Sequence, residues 1–272
     1  MILKKRKPTT PSLRHLISLN NSQLVKIPLL KNKIKGIKKK SGTNNSGKIV
    51  SHRKGGGNKT RYRTLNFTRT DYSVGIVITK EYDPYRSSNI CSVYDFITKK
   101  YYYILSPNNL YIGDIIKSGA NVEIFNGNSV PLSNVPVGAF IHNVSTKSKK
   151  SAEISRSAGT FSQLIEKTPK TTRVILSSGE QRYISSQCFV TIGTVSNEAW
   201  FLTTLGKAGR SRWLNKRPKV RGVAKNPIDH PHGGGEGKTS GGRTSVTPWG
   251  KPTRNIKTSK SKNKLRIIKQ HV

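Results

Sequence analysis

Arg61–Arg69 (RYRTLNFTR), Ser73–Tyr82 (SVGIVITKEY), Ile90–Thr98 (ICSVYDFIT) and Lys100–Leu105 (KYYYIL) decide the fold. They are short, rich in Val, Ile, Tyr, Phe and Thr, and separated by turn clusters at hairpin spacing. That is the pattern of strands whose branched and aromatic side chains fill a pleated surface. Asp83-Pro84 and Ser106-Pro107-Asn108-Asn109 supply turns, and no helical periodicity runs through the region. With Ile112–Ser118 as a fifth strand, the group closes into a small barrel of the oligonucleotide-binding (OB) type. A second set follows, entered irregularly through Pro131–Pro136: Ala139–Val144, Phe161–Glu166, Thr172–Leu176, Gln181–Ser185 and Phe189–Thr194, with turns at Asn126-Gly127 and Ser178-Gly179. It reads as another small β-barrel, and the fold class is mainly β.

Outside these strands the chain is cationic. Its 272 residues include 50 Lys and Arg against 12 Asp and Glu, a formal net charge of +38. Residues 1–70 hold 19 of the basic residues and no acid, residues 199–272 hold 18 against Asp229 and Glu236, and the centre, 71–198, holds 13 against 10 acids. Like charges at this density oppose compaction until a polyanion neutralises them, so the two arms are expected to take shape on nucleic acid. The expected organisation is a basic N-terminal extension over 1–59, an OB-type RNA-binding domain over 60–125, a second barrel over 126–198 and a basic C-terminal extension over 199–272. No apolar run approaches the ~18 residues of a spanning helix, which leaves surface adhesion as the membrane option. Cys91 and Cys188 stand far apart and form no C-x-x-C pair, which excludes a disulfide framework and a cysteine-based zinc site and suits a reducing compartment.

Two glycine clusters carry the chemistry. In His52-Arg53-Lys54-Gly55-Gly56-Gly57-Asn58-Lys59-Thr60-Arg61-Tyr62-Arg63, three glycines alternate with five basic residues. Glycine permits close backbone approach, so its N–H groups are expected to face phosphate while Arg and Lys neutralise charge and Tyr62 offers a ring for stacking. A flexible linker, with Tyr62 as core, is the competing reading. The second cluster is Asn226-Pro227-Ile228-Asp229-His230-Pro231-His232-Gly233-Gly234-Gly235-Glu236-Gly237-Lys238. Gly237-Lys238-Thr239 ends like a nucleotide-binding P-loop, but His232 stands where that motif requires glycine. Asp229, His230, His232 and Glu236 include metal-ligating and proton-transfer groups, yet the intervening proline and glycine run fix no tetrahedral scaffold and no nucleophile is evident. The expectation is therefore no metal and no catalytic residue, with His230, supported by Asp229, as the sole catalytic candidate. The preferred reading is a thin, side-chain-poor thread passing between RNA helices.

Lys207, Arg210, Arg212, Trp213, Lys216, Arg217, Lys219 and Arg221 precede this thread, and Arg243, Trp249, Lys251 and Arg254 follow it. Guanidinium pairs with phosphate and planar rings stack on unpaired bases, so the alternation suits RNA; local packing of Trp213 and Trp249 is the plain alternative. The basic, acid-free segment Lys257–Lys269 reads as a tail on phosphate.

The residues resemble the ribosomal protein L-two family, the universal second protein of the large ribosomal subunit. The resemblance rests on Asn226–Gly237 (NPIDHPHGGGEG), Thr247-Pro248-Trp249-Gly250, Arg217-Pro218-Lys219-Val220-Arg221-Gly222, Leu205-Gly206-Lys207-Ala208-Gly209, Arg156-Ser157-Ala158-Gly159-Thr160, Glu81-Tyr82-Asp83-Pro84 with Arg86, and Gly55-Gly56-Gly57, in the family's order over nearly the whole chain. It implies an OB barrel followed by an SH3-like barrel, with basic extensions threading into large-subunit RNA near the peptidyl-transferase centre. It also implies a structural, non-enzymatic role in assembling that centre, in subunit association and in tRNA binding. The implied partners are large-subunit rRNA, other ribosomal proteins, the small subunit across the interface and nearby tRNA. No cofactor of its own is implied, only Mg2+ held by the RNA. His230 matches a histidine discussed in peptide-bond formation; with RNA as the catalyst, its expected role is to shape RNA. A general nucleic-acid packaging protein and a His-dependent transferase are the competing readings.

The chain departs from the family pattern in two places. Around the glycine triplet it has His52-Arg53-Lys54 and then Asn58 where the family has histidines, keeping charge but changing hydrogen-bonding groups. Lys150-Ser151-Ala152-Glu153 replaces a glycine-containing stretch and adds a negative charge before Arg156. These departures, with heavy use of Lys, Asn, Ile and Ser, point to an organellar ribosome, the mitochondrion before the plastid or a bacterial cytoplasm. Because Lys7–Pro11 with Arg14-His15 resembles the mature family start, synthesis inside the organelle is expected.

Overall fold

The computed structural model describes residues 3–148, 150–237, 239–254 and 256. Fourteen strands run in chain order: β1 Leu3–Lys5, β2 Ile17–Leu19, β3 Ile34–Gly36, β4 Arg61–Arg63, β5 Ser73–Glu81, β6 Ile90–Asp95, β7 Lys100–Leu105, β8 Ile115–Ser118, β9 Ser129–Pro131, β10 Phe140–His142, β11 Ser162–Lys167, β12 Thr171–Leu176, β13 Gln181–Ser185 and β14 Phe189–Ile192. The single α-helix of the described residues, α1, is Ala208–Trp213. No helix among them is long and apolar enough to cross a membrane.

Contacts divide the described residues into two units: residues 3–38 and 59–210 form one, and residues 39–58 with 211–254 form the other. The first unit holds both barrels. A continuous ten-stranded sheet, in the order β13-β12-β11-β10-β14-β9-β8-β5-β6-β7, explains why the barrels stay together. They meet at a parallel bridge, Ser118 beside Ser129. The buried Arg69 guanidinium sits at the same junction, donating to the carbonyls of Gly127 (2.9 Å) and Lys117 (3.4 Å).

Alternation in β5 to β8 sends Val77, Cys91, Val93, Ile104 and Ile116 into the first barrel, with Leu110 from the following loop. Val130, Ile141, Leu164, Val174, Ile184 and Val190 fill the second, with Leu132, Val135, Val144 and Cys188. A third cluster lies on the outer face of β6 and β7, where Leu30 and Leu65 cover Ile90, Tyr103 and Leu105. Tyr103 fixes that cover. Its hydroxyl donates to the buried Glu81 carboxylate (Oε2, 3.0 Å) and accepts from the Leu30 N–H (3.0 Å), while Glu81 Oε1 accepts from Leu29 N–H (2.9 Å). Burial pushes the Tyr103 phenol up to about 12.

One strand expectation fails. Arg61–Arg69 is not one barrel strand: Arg61–Arg63 pairs with β3 in a separate two-stranded ladder, Leu65 adds a single bridge to Tyr103, and β9 lies beside β8. The cause is visible at Arg69, whose positive φ of 26° and buried side chain turn the chain before β5 begins. The expected irregular entry at Pro131–Pro136 is β9 followed by a 3-10 turn, Leu132–Asn134.

Candidate nucleic-acid interface

In the barrel unit, Arg86 and Arg156 flank a cleft of about 590 Å3 with Tyr62, Phe67 and Tyr85. Arg86 is oriented by Asp83, fully buried three residues earlier, through Nε to Oδ2 at 3.0 Å. Its guanidinium lies 5.8 Å over the Tyr62 ring and 5.6 Å over Phe67, and that of Arg156 lies 4.9 Å over Phe67. Tyr62 packs edge-on against Tyr85 at 5.3 Å. The rings stabilise both cations; Arg86 Nε is taken by Asp83 and Arg156 Nη1 donates to the Ala152 carbonyl at 3.2 Å, so each guanidinium keeps donors beyond that one that could meet a phosphate or a base edge. The carboxylate at Glu153 is paired: Lys150 Nζ reaches its Oε1 at 2.7 Å, holding the acid below its ordinary range.

Lys59 and Arg61 are exposed beside this cleft's strand, whereas Arg63, expected to touch RNA, is buried and donates to the Arg61 carbonyl at 3.2 Å. Arg61 and Arg63 lie two residues apart, on the same face of β4, so their different exposure comes from what covers each position and not from strand alternation. Lys207 is exposed; Arg210 donates to the carbonyls of Leu205 and Ser12 and so fastens its own chain.

The second unit is built without a core: none of the buried apolar side chains belongs to it among the described residues. Backbone pairing holds it instead. Lys54 bridges Lys216, Arg217 N–H donates to Arg53 C=O (2.9 Å), and Asn58 N–H donates to Trp213 C=O (3.1 Å). The glycine triplet packs on Asn215: Gly55 N–H donates to its carbonyl and Gly57 N–H to its Oδ1, both at 3.3 Å. A Cβ at Gly57 would sit 2.7 Å from Asn215. Two of the three N–H groups expected to face phosphate are therefore spent inside the protein. Gly56 is exposed there, as are the side chains of His52, Arg53, Lys54, Arg212, Lys216, Arg217, Lys219 and Arg221.

The Asn226–Gly237 thread curls around two histidines. His230 Nδ1 accepts from the His232 N–H at 3.0 Å, while His232 Nε2 accepts from the Val246 N–H (3.0 Å) and its Nδ1 donates to the Gly241 carbonyl (3.1 Å). Each ring thus accepts a hydrogen bond from a backbone N–H. The rings stack with centroids 5.1 Å apart. Burial, then the neighbouring His232, Lys225 and Lys219, lower the His230 pKa. Gly222 lies against this ring, where a Cβ would fall 2.4 Å from it, and a Cβ at Gly233 would strike the Asn226 carbonyl at 2.4 Å. The expected Asp229–His230 partnership is replaced: Asp229 is exposed, and the ring takes its bond from the His232 backbone. Gly234 and Gly235 adopt positive φ in the same turn. Asn226 accepts through its backbone carbonyl from the N–H groups of Asp229 and His230. Trp249 stays 71 % exposed with His52 6.0 Å away, and Arg243, Lys251 and Arg254 are exposed around it. Lys238 and the Lys257–Lys269 tail lie outside the described residues. Among the described residues, no group of three or more His, Cys, Asp or Glu side chains is placed to hold a metal ion.

Sequence reasoning missed Phe67, Tyr85 and Asn215. Asp83 sits three residues before Arg86, a spacing visible in the sequence; Asn215 gave no signal, since Gly57 lies 158 positions away.

Two joined β-barrels bearing an arginine-aromatic cleft, and a coreless cationic unit threaded with glycine, define a protein built to engage a polyanion. The chain matches the family models described as "Ribosomal Proteins L2, RNA binding N-terminal domain" over residues 30–118 and "Ribosomal Proteins L2, C-terminal domain" over residues 125–250. It is 48% identical over 263 residues to the large ribosomal subunit protein uL2 of Parvibaculum lavamentivorans, covering 96% of this chain and 94% of the relative. It is 46% identical to the protein of the same name from Rhodopseudomonas palustris, covering 100% and 99% of the two chains. For that of Rhodospirillum rubrum the identity is 47%, over 98% and 96%. The chain belongs to the ribosomal protein L2 family.

Proposed function

We propose that the protein is a structural, non-enzymatic constituent of the large ribosomal subunit that binds rRNA and holds the RNA of the peptidyl-transferase region in place. The observation that carries this reading is the Asn226–Gly237 thread, in which three of the four ring nitrogens of His230 and His232 are engaged by the protein's own backbone. A group so used stiffens a loop and is poorly placed to shuttle protons. Mechanistically, Lys and Arg release counterions from folded RNA, the cleft between Arg86 and Arg156 takes a phosphate or an unpaired base, and the thread fits where larger side chains would clash. Neighbouring ribosomal proteins, the small subunit and tRNA are partners on this reading, and magnesium belongs to the RNA. Bacterial relatives together with the Lys-, Asn- and Ile-rich composition support an organellar ribosome, the mitochondrial one first.

Sucrose-gradient sedimentation of a native lysate at high salt with magnesium tests the reading. Co-migration with large-subunit RNA that ribonuclease abolishes is expected; migration as free protein overturns it. In reconstituted subunits, His230→Ala should impair assembly or tRNA placement, and normal assembly with lost peptidyl transfer would restore the transferase reading.

A further inference from the structure

The outer face of β6 and β7 is built in three cross-strand rows, pairing Ile90 with Leu105, Ser92 with Tyr103 and Tyr94 with Tyr101. The first two rows are covered by the chain itself through Leu30 and Leu65, and Asn66 N–H donates to the Tyr103 carbonyl at 2.8 Å on the free side of β7. Cover then stops. The third row continues across the sheet, Tyr94 beside Ile76 and Ile76 beside Ile115, and the hairpin tip adds Phe96 and Ile97. Phe96, Ile97, Tyr101 and Ile115 are 49, 51, 46 and 60 % exposed. A contiguous apolar patch at the edge of a sheet, in a chain this charged, marks a binding surface.

Its chemistry distinguishes RNA from protein. A base-stacking platform needs free ring faces and nearby cations in excess. Here the rings pack on one another, Tyr94 edge-on to Phe96 at 5.7 Å and tilted against Tyr101 at 4.8 Å, and aliphatic isoleucines make up half of the patch. Residues 71–118 carry five Lys and Arg and five Asp and Glu, a net charge of zero between arms of strong positive charge. At the rim, Lys99 and Lys100 are exposed and form no ion pair among the described residues, whereas Lys117 is paired with Glu123. Aromatic and branched side chains on a charge-neutral centre with a small basic rim match a protein–protein contact. We infer that the open row of this face, centred on Tyr94, Phe96 and Tyr101, docks a second protein of the large subunit, one that presents an apolar segment with an acidic rim and continues the cover begun by Leu30 and Leu65.

This inference rests on the ribosomal reading, and its test separates the two. Purified large subunits carrying the full chain with a photoreactive phenylalanine analogue at Ile97 or at Tyr101 are irradiated, digested with ribonuclease and analysed by mass spectrometry. Both positions should yield an adduct with the same protein, in a segment richer in acids than bases. Phe96→Ser combined with Tyr101→Ser, and separately Lys99→Glu with Lys100→Glu, should leave this chain in the particle while lowering the partner's occupancy at least ten-fold after a salt wash. An RNA adduct, no adduct, an adduct only to this chain, or unchanged occupancy overturns the inference while the ribosomal reading stands. Absence of the unmodified chain from the particle overturns both.

Discussion

The two units of the chain hold themselves together by opposite means. In the barrels, apolar side chains fill two closed interiors, and the acids near them are used locally: Asp83 on Arg86, Glu81 on Tyr103, Glu123 on Lys117. In the unit of residues 39–58 and 211–254, Gly55 and His230 are the only buried residues among those described, and the described part sets fourteen Lys and Arg against Asp229 and Glu236. Burial of apolar area is the main driving force for folding in water, and the second unit lacks it. Its described part is held by backbone pairing and by hydrogen bonds centred on two histidines, whereas the barrels are held by their buried cores.

The contrast can be broken experimentally, and salt should have the largest effect. With 6 to 10 phosphate contacts, affinity for large-subunit RNA should fall about 10³–10⁵-fold between 50 and 200 mM salt. Hydrogen exchange in the free protein should be slow in β5–β7 and β11–β12 but fast in residues 211–237, and RNA should protect only the latter strongly. Equal protection without RNA would erase the distinction. Next comes the barrel core. Leu164→Ala should lower unfolding stability by about 2–5 kcal/mol, read by thermal or urea unfolding, with the salt slope of RNA binding unchanged.

Acid gives a third effect confined to the second barrel. His142 is fully buried, its Nδ1 donates to the Gly193 carbonyl at 2.9 Å, and its Nε2 has no partner. Burial, with Arg69 nearby, lowers its pKa to about 4. The unfolded chain takes up that proton near its ordinary value while the fold resists it. The stabilisation is therefore complete above about pH 6.5 and is lost as pH falls toward 4, on the order of 3 kcal/mol in all. His142→Gln should flatten this part of a stability-versus-pH curve; an unchanged slope would locate the acid sensitivity elsewhere. The smallest effect is steric. Gly222→Ala pushes a methyl group into the His230 ring and should weaken RNA binding about ten-fold, with barrel unfolding unaffected.

Legibility followed the same division. The barrel strands were readable because alternation and turn residues are local: Lys100–Leu105 and Gln181–Ser185 fall where the pattern puts them. Arg61–Arg69 misled because its Thr, Tyr and Phe content fits a strand, while the decisive event, burial of Arg69 against Gly127 and Lys117, lies far along the chain. At the candidate interface the residue types were legible and their geometry was not. Nothing in the order of residues places Phe67 beneath both Arg86 and Arg156, or spends the Gly55 and Gly57 N–H groups on Asn215.

By itself, the sequence determined the β class, the neutral centre between cationic arms, and the thread of proline, histidine and glycine that carries the family likeness. These depend on side-chain type and short-range spacing, which a linear text preserves. Only the tertiary structure decided that Arg63 is inside, that His230 bonds to the His232 backbone instead of Asp229, and that the row from Tyr101 through Tyr94 to Ile115 stays open. Such outcomes depend on which distant segments reach a given side chain first, and that competition is settled by packing in three dimensions.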